Sequence, residues 1–203
     1  MEEVIMAVAF TPVERERIES ALLDTAEELF TTQGLKKTAL DELVGPVGIS
    51  KGSFYAFYDS KEALYLEVML RRAPRVTAPV SAALARPADE EGLIAVMHAI
   101  TDVLADDPLY RRLLTQPAEL DAVTRRVGAE QIARVTPLLV TPLLDYLVAG
   151  QRAGVLVDDI APEAMVGVLR VAGLLTMHRD RFEPGYEQVL AATIRTTARG
   201  LLR

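Results

Sequence analysis

The stretch GISKGSFYAFYDSKEAL, Gly48 to Leu64, decides how this chain is read. The chain has 6 tyrosines and 5 phenylalanines, and Phe54, Tyr55, Phe57, Tyr58 and the adjoining Tyr65 gather here around one short segment. Gly48 turns the chain, and Ser50 has the hydroxyl that caps a helix running to about Tyr58. Asp59 or Ser60 then caps a further helix beginning at Lys61. Phe54 and Tyr58, four residues apart, share one helix face, whereas Tyr55 points elsewhere.

Upstream, Thr11-Pro12-Val13-Glu14 has the form of a capping box with proline at the first helical position. Apolar residues follow at Ile18, Ala21 or Leu22, Thr25 or Ala26, and Leu29 or Phe30, the period of a helix with one buried face, and Gly34 supplies a left-handed stop. A second, shorter helix opens at Thr38-Ala39-Leu40-Asp41, buries Leu40, Leu43 and Val44, and ends at Gly45-Pro46. Downstream the pattern stays helical. Pro74, Pro79 and Pro87 interrupt or end the fourth helix, and further helices are expected over 89–106, from Pro108, and over 117–127, 129–152, 162–178 and 184–202. Only 155–157 hints at a strand. The fold expected is all-α: an N-terminal three-helix unit over residues 11–60, fused to a larger helical unit over 61–203.

Composition narrows the function. Half of the 203 residues are hydrophobic and a quarter charged, as in a globular protein with a core. The absence of cysteine removes disulfides, thiolate nucleophiles and cysteine-held metals, and fits a reducing cytoplasm. The start, MEEVIMAVAF, lacks the positive charge of a signal peptide, and no later apolar run is long enough to span a membrane. The net charge is −7, and residues 1–60 hold five bases against eleven acids. Any surface for nucleic acid must therefore rest on a few placed cations rather than a basic field. Neither Asp106-Asp107 nor Asp158-Asp159 shares a helix face as a catalytic pair would, and the 2 histidines have no metal-ligand spacing. No enzyme activity, cofactor or metal is expected.

Two short helices joined by a tight glycine-containing turn make a helix-turn-helix, whose second helix can enter a DNA major groove. Lys51 and Ser53 can bond bases or phosphates, Gly52 permits close backbone approach, and the Tyr55 hydroxyl can reach a phosphate. An ordinary helical bundle accounts for the same rings as core and surface residues. The order of residues over Arg17–Leu64, with TALDELVGPVGISKGSFYAFYDSKEAL at its heart, closely resembles the N-terminal domain of TetR-type transcriptional regulators. The resemblance implies that Thr38 and Ser50 are phosphate-contacting caps. It makes Lys51, Gly52, Ser53 and Ala56 a base-facing group and Tyr55 and Lys61 phosphate anchors, and it puts Phe57 near the DNA backbone. Val44, Pro46 and Phe57 depart from the family pattern, which implies an altered helix crossing and, at Phe57, either weaker phosphate anchoring or a contact with sugar or a thymine methyl.

The segment 162–178 is apolar almost all round and must be covered on both sides. It packs within one chain, or it pairs with the last helix in a four-helix dimer interface. The resemblance favours a homodimer built on Met165, Leu169, Ala172, Gly173, Tyr186, Leu190 and Ile194, which would read a palindromic double-stranded operator. It further implies a small-molecule effector in the larger unit. The pocket candidates are Met97, Met165 and Met177 with His98, Tyr110, Gln116 and Tyr146, although methionines are more often core and His98 sits beside an apolar stripe. A helical interaction protein that does not bind DNA is the alternative.

Overall fold

The computed structural model describes residues 10–134, 138 and 140–203, so the readings made on residues 1–9 and on Pro137 lie outside it. Among the described residues the regular elements are all helices, joined by turns and loops, with an isolated bridge between Leu156 and Leu202. They divide into two compact units between Val68 and Met69, where the sequence led us to expect a boundary at residue 60. The first turns of the fourth helix belong to the N-terminal unit because their side chains are buried there; the Tyr65 ring sits 5.1 Å from that of Phe30, edge to face.

In the first unit, α1 spans Pro12–Thr32 and buries Ile18, Leu22, Ala26 and Phe30, the stripe its sequence displays. Its capping box is complete. Thr11 Oγ1 accepts the Glu14 N–H at 3.3 Å, and the Glu14 carboxylate accepts the Thr11 N–H at 2.9 Å. That backbone bond is the main cause holding the Glu14 carboxyl below the ordinary glutamate range. The left-handed positions fall at Gly34 (φ 84°) and Gly48 (φ 76°), where a side chain would be strained. Between them, α2 is Leu40–Val44.

The fourth helix, α4, runs over Lys61–Leu84 with Pro74 and Pro79 inside it, so these prolines do not interrupt it. Both lie on the exposed side, while Met69, Ala73, Val76 and Ala83 are buried on the other. Packing of that apolar stripe outweighs the hydrogen bonds the prolines remove. Ser60 Oγ accepts the Ala63 N–H at 3.1 Å, which selects Ser60 as the cap.

The second unit contains α5 (Glu90–Asp106), α6 (Pro108–Thr115), α7 (Pro117–Arg126), α8 (Ala129–Ala133), α9 (Thr141–Arg152), α10 (Pro162–Leu175) and α11 (Tyr186–Gly200). The helix expected over 129–152 is divided into α8 and α9. The one expected over 162–178 ends at Leu175 and continues as a 3-10 turn over Thr176–Arg181, where His178 leaves helical geometry. Helix α5 is central, burying Leu93, Val96 and Met97 among Leu147, Met165, Leu169 and Ile194. At the crossing of α5 and α10, a β-carbon on Gly173 would stand 2.3 Å from Leu104 Cδ1, so any larger residue there requires the Leu104 side chain to shift. The chain end is tied back by Val157 N–H to Leu201 O and Arg203 N–H to Val155 O, both 3.0 Å.

These positions correct the expected dimer surface. Met165, Leu169, Ala172, Gly173, Tyr186 and Ile194 are buried within the protomer's own fold, and Leu190 is half-buried against the same core. An all-round apolar helix has two faces to cover, and the intramolecular core takes this one. The opposite face of α10 is open: Ala164, Gly167, Val171 and Leu174 are exposed at helical spacing, Val171 by 51% and Leu174 by 40%.

The junction of α4 and α6 contains a shielded ion pair. Arg72 Nη2 and Nε meet Asp107 Oδ2 at 2.5 and 3.1 Å, with side chains 11% and 8% exposed. The other Asp107 oxygen caps α6, accepting the N–H groups of Leu109 at 3.0 Å and Tyr110 at 3.2 Å.

Candidate nucleic-acid interface and cavity

The third helix, α3, is a single turn, Lys51–Phe54, shorter than the helix expected to reach Tyr58. Ser50 Oγ accepts the Ser53 N–H at 3.0 Å and caps it. Beyond Phe54 the chain tightens into three-residue turns, with Ala56 N–H to Ser53 O at 3.1 Å and Phe57 N–H to Phe54 O at 2.9 Å. One four-residue bond remains, Tyr58 N–H to Phe54 O at 3.1 Å. It keeps Phe54 and Tyr58 on one side, buried, with ring centroids 6.0 Å apart. Full burial of Phe54 contributes about 1.5–3 kcal/mol to docking this turn. Tyr55 stands outward, 59% exposed, beside the exposed Lys51 and Gly52 and the half-buried Ser53.

Several expected contact residues are engaged inside the unit. Thr38 is not an exposed cap: it is 1% exposed, its hydroxyl donates to Gly34 O at 2.8 Å, and α2 is capped at Ala39. The Glu42 carboxylate accepts the Ala39 N–H at 2.7 Å, the main cause holding its carboxyl below the ordinary range. Lys61 is a clamp, its ammonium donating to Leu35 O at 2.8 Å and Thr38 O at 2.9 Å. That leaves one of its three donors for any phosphate. Phe57 packs against Phe10, centroids 5.5 Å apart, and beneath the Arg15 guanidinium at 4.8 Å. The same guanidinium donates to Ala56 O at 2.7 Å, while the Ala56 methyl stays exposed. Lys51 pairs with Asp41 at 2.8 Å, both side chains open to water.

Arg15 and Asp41 are thus parts of this surface that motif reading did not assign. Lys61 offers a direct test. Lys61→Ala removes two charge-assisted bonds between α4 and the loop before α2, and solvent access discounts their strength. The expected loss is about 1 kcal/mol, read from the urea midpoint at unchanged slope.

In the second unit, a cavity of about 310 Å³ opens between α4, α5 and α10. Its wall includes Met69, Val76, Val80, Ile100 and Val166, with Thr77, Ser81, Tyr110 and Arg170 as polar groups. Among the expected pocket residues only Tyr110 lines it, and its hydroxyl is committed, donating to Met69 O at 3.0 Å. Burial, reinforced by Asp107, pushes that phenol up to about 12. Met97 and Met165 are core residues, and Met165 Sδ accepts a weak bond from Gln151 at 3.9 Å. Tyr146 donates to Pro87 O at 2.9 Å and is raised to about 12, first by burial and then by Asp89. His98 and Gln116 are exposed, and Met177 is half-buried in the 3-10 turn. The sequence had not marked Thr77, Ser81 or Arg170. Among the described residues no group of three acids or histidines could hold a metal, and no helix is long and apolar enough to cross a membrane.

The glycine-turned pair of short helices, with the Phe54 and Tyr58 rings buried beneath the second, has the form of a helix-turn-helix, and a larger helical unit follows it. The family model described as bacterial regulatory proteins, tetR family, matches residues 22–68. Over that N-terminal segment the chain is similar to the family. It is 29% identical over 134 residues to the HTH-type transcriptional activator FasR of Mycolicibacterium smegmatis, an alignment spanning 66% of this chain and 60% of that relative. A putative TetR-family regulator from Vibrio parahaemolyticus has the same fold, with TM-score 0.63, 21% identity, and 94% of this chain and 99% of that one covered. The superantigen PfiT is similar in fold as well, with TM-score 0.64 and 21% identity over 92% of this chain and 96% of its own.

Proposed function

We propose that the protein is a sequence-specific DNA-binding transcriptional regulator, acting as a homodimeric repressor that leaves a palindromic operator when a small molecule occupies the cavity. The observation that carries this reading is the turn of exposed Lys51 and Gly52 and half-buried Ser53 with outward Tyr55, above the buried rings of Phe54 and Tyr58. The Lys51 ammonium lies in solvent as a phosphate contact requires, and Gly52 carries no side chain to obstruct a base edge. The exposed α10 stripe of Ala164, Gly167, Val171 and Leu174 is the surface on which we place the dimer contact. Two copies present two α3 turns, matched to half-sites one or more helical turns apart. Helix α4 begins in the N-terminal unit and its later turns line the cavity, which supports it as the route from effector to DNA.

A mobility-shift assay with DNA flanking the protein's own gene, at low ionic strength and with dimer mass confirmed by sedimentation, tests the reading. Salt-sensitive, sequence-dependent binding is the expected result, and its absence would sink it. Tyr55→Phe should weaken every sequence by a similar factor, because a phosphate bond carries no sequence information, whereas Ser53→Ala should change the ranking of operator variants. Equal effects on all sites would overturn those roles. The FasR relative is named as an activator, so the sign of regulation is read separately with a reporter gene.

The second reading is an interaction protein that does not bind DNA. It is favoured by the Lys51–Asp41 pair and by the acidic excess of residues 1–60. A folded dimer that ignores every DNA sequence at low salt is its signature.

A further inference from the structure

We propose that the cavity of the second unit takes a medium-length aliphatic carboxylate, its chain between α4, α5 and α10 and its head group on Arg170. The inference rests on the effector reading above and specifies the chemistry of that ligand.

The wall has a distinct chemical bias. Most of its side chains are branched aliphatics such as Val76, Val80, Ile100 and Val166, and the one aromatic ring, Tyr110, has its hydroxyl turned to Met69 O. Such a wall gives an alkyl chain close dispersion contacts, but it offers a flat aromatic ligand little to stack on. Among the described residues no acid lines the cavity, so a cationic ligand would meet no counter-charge from them. Among the described residues Arg170 is the one charged residue in the lining. It is exposed, and among the described residues it has no hydrogen-bond or ion-pair partner. A planar guanidinium at the edge of an apolar cavity suits a carboxylate, which it can bind through two parallel N–H bonds. Thr77 and Ser81, four apart on α4, add hydroxyls along the same wall.

Size limits the chain. A cavity of about 310 Å³ lies at the lower end of the range for small-molecule sites, which suits a medium-length chain such as decanoate.

Titration calorimetry on the full chain, with ligands below their micellar concentrations, tests the proposal without DNA. Decanoate should bind, while decanol binds about tenfold or more weakly and decylammonium shows no saturable binding. Arg170→Gln should reduce decanoate affinity by about tenfold or more and leave decanol unchanged, with Arg170→Lys in between. Val80→Trp, which fills the cavity from α4, should abolish binding of both. Equal binding of the three head groups, or full decanoate affinity in Arg170→Gln, would overturn the head-group assignment. Unchanged binding in Val80→Trp would overturn the site. The mobility-shift assay with decanoate separates the two readings: if decanoate binds but does not change operator affinity, the effector role fails and the ligand assignment stands.

Discussion

Asp107→Ala should cost about 3–5 kcal/mol of stability, one of the two largest losses we expect from a single substitution. The Asp107 carboxylate holds the Arg72 guanidinium through one oxygen and caps α6 through the other, in a place where both side chains are nearly excluded from water. Removing it leaves a buried cation without this counter-charge and two α6 amides without their acceptor. Urea unfolding of the second unit is the measurement. Asp107→Asn separates the contributions, since it keeps a capping oxygen and loses the charge, so it should recover about 1 kcal/mol of cap. Pairing Asp107→Ala with Arg72→Met should recover more, because the cation that Asp107 balanced is gone as well. A loss below about 1 kcal/mol in Asp107→Ala would show that the pair does not hold the α4–α6 junction.

Phe54→Ala should be comparable for the N-terminal unit, costing about 3–5 kcal/mol and removing DNA binding to every sequence together. Phe54 is fully buried, with the Tyr55 and Tyr58 rings 5.5 and 6.0 Å away, and α3 has only one turn of its own to hold it in place. A four-residue helix has almost no intrinsic stability, so its position depends on this anchor. Phe54→Leu, which keeps most of the volume, should cost about 1.5 kcal/mol or less and retain operator ranking. The N-terminal unit is followed by amide exchange of residues in α1 to α3, and DNA affinity by mobility shift. Native affinity in Phe54→Ala would show that the turn is held by something other than its rings.

What was legible in the sequence was mostly local. Thr11, Pro12 and Glu14 specify a cap through atoms three residues apart, and Gly34 and Gly48 specify conformations other residues resist, so these features hold in the fold. The division of rings into buried Phe54 and Tyr58 and outward Tyr55 follows from periodicity, and it survives although the helix itself stops at Phe54. What was not legible depends on distant partners. Lys61 reads as a surface cation until the carbonyls of Leu35 and Thr38 are seen to accept from it. Thr38 reads as a cap because its neighbours do not reveal that Gly34 O takes its hydroxyl. The apolar 162–175 segment announces two covered faces without saying which is covered from within, so the residues first placed between chains belong to the core. The pocket candidates were chosen as polarizable or polar groups amid apolar sequence, and that criterion also selects satisfied core residues such as Tyr146. The usable signal was Thr77 and Ser81 along the apolar stripe of α4, which the nearby prolines disguised.

The ion pair between Lys51 and Asp41 changes what a lysine contributes on a DNA surface. Polyelectrolyte binding draws its affinity from mobile counterions expelled by each arriving cation. A lysine already neutralised by a tethered carboxylate expels fewer, because Asp41 cannot diffuse away. On the proposed reading, Lys51 therefore adds little to indiscriminate attraction for bulk chromosomal DNA and flattens the dependence of binding on salt. Its contribution grows only where a site's geometry draws the ammonium off Asp41. An acidic domain with so few cations would then search by rejecting most DNA weakly and holding its own site by shape and hydrogen bonding, favouring discrimination over occupancy.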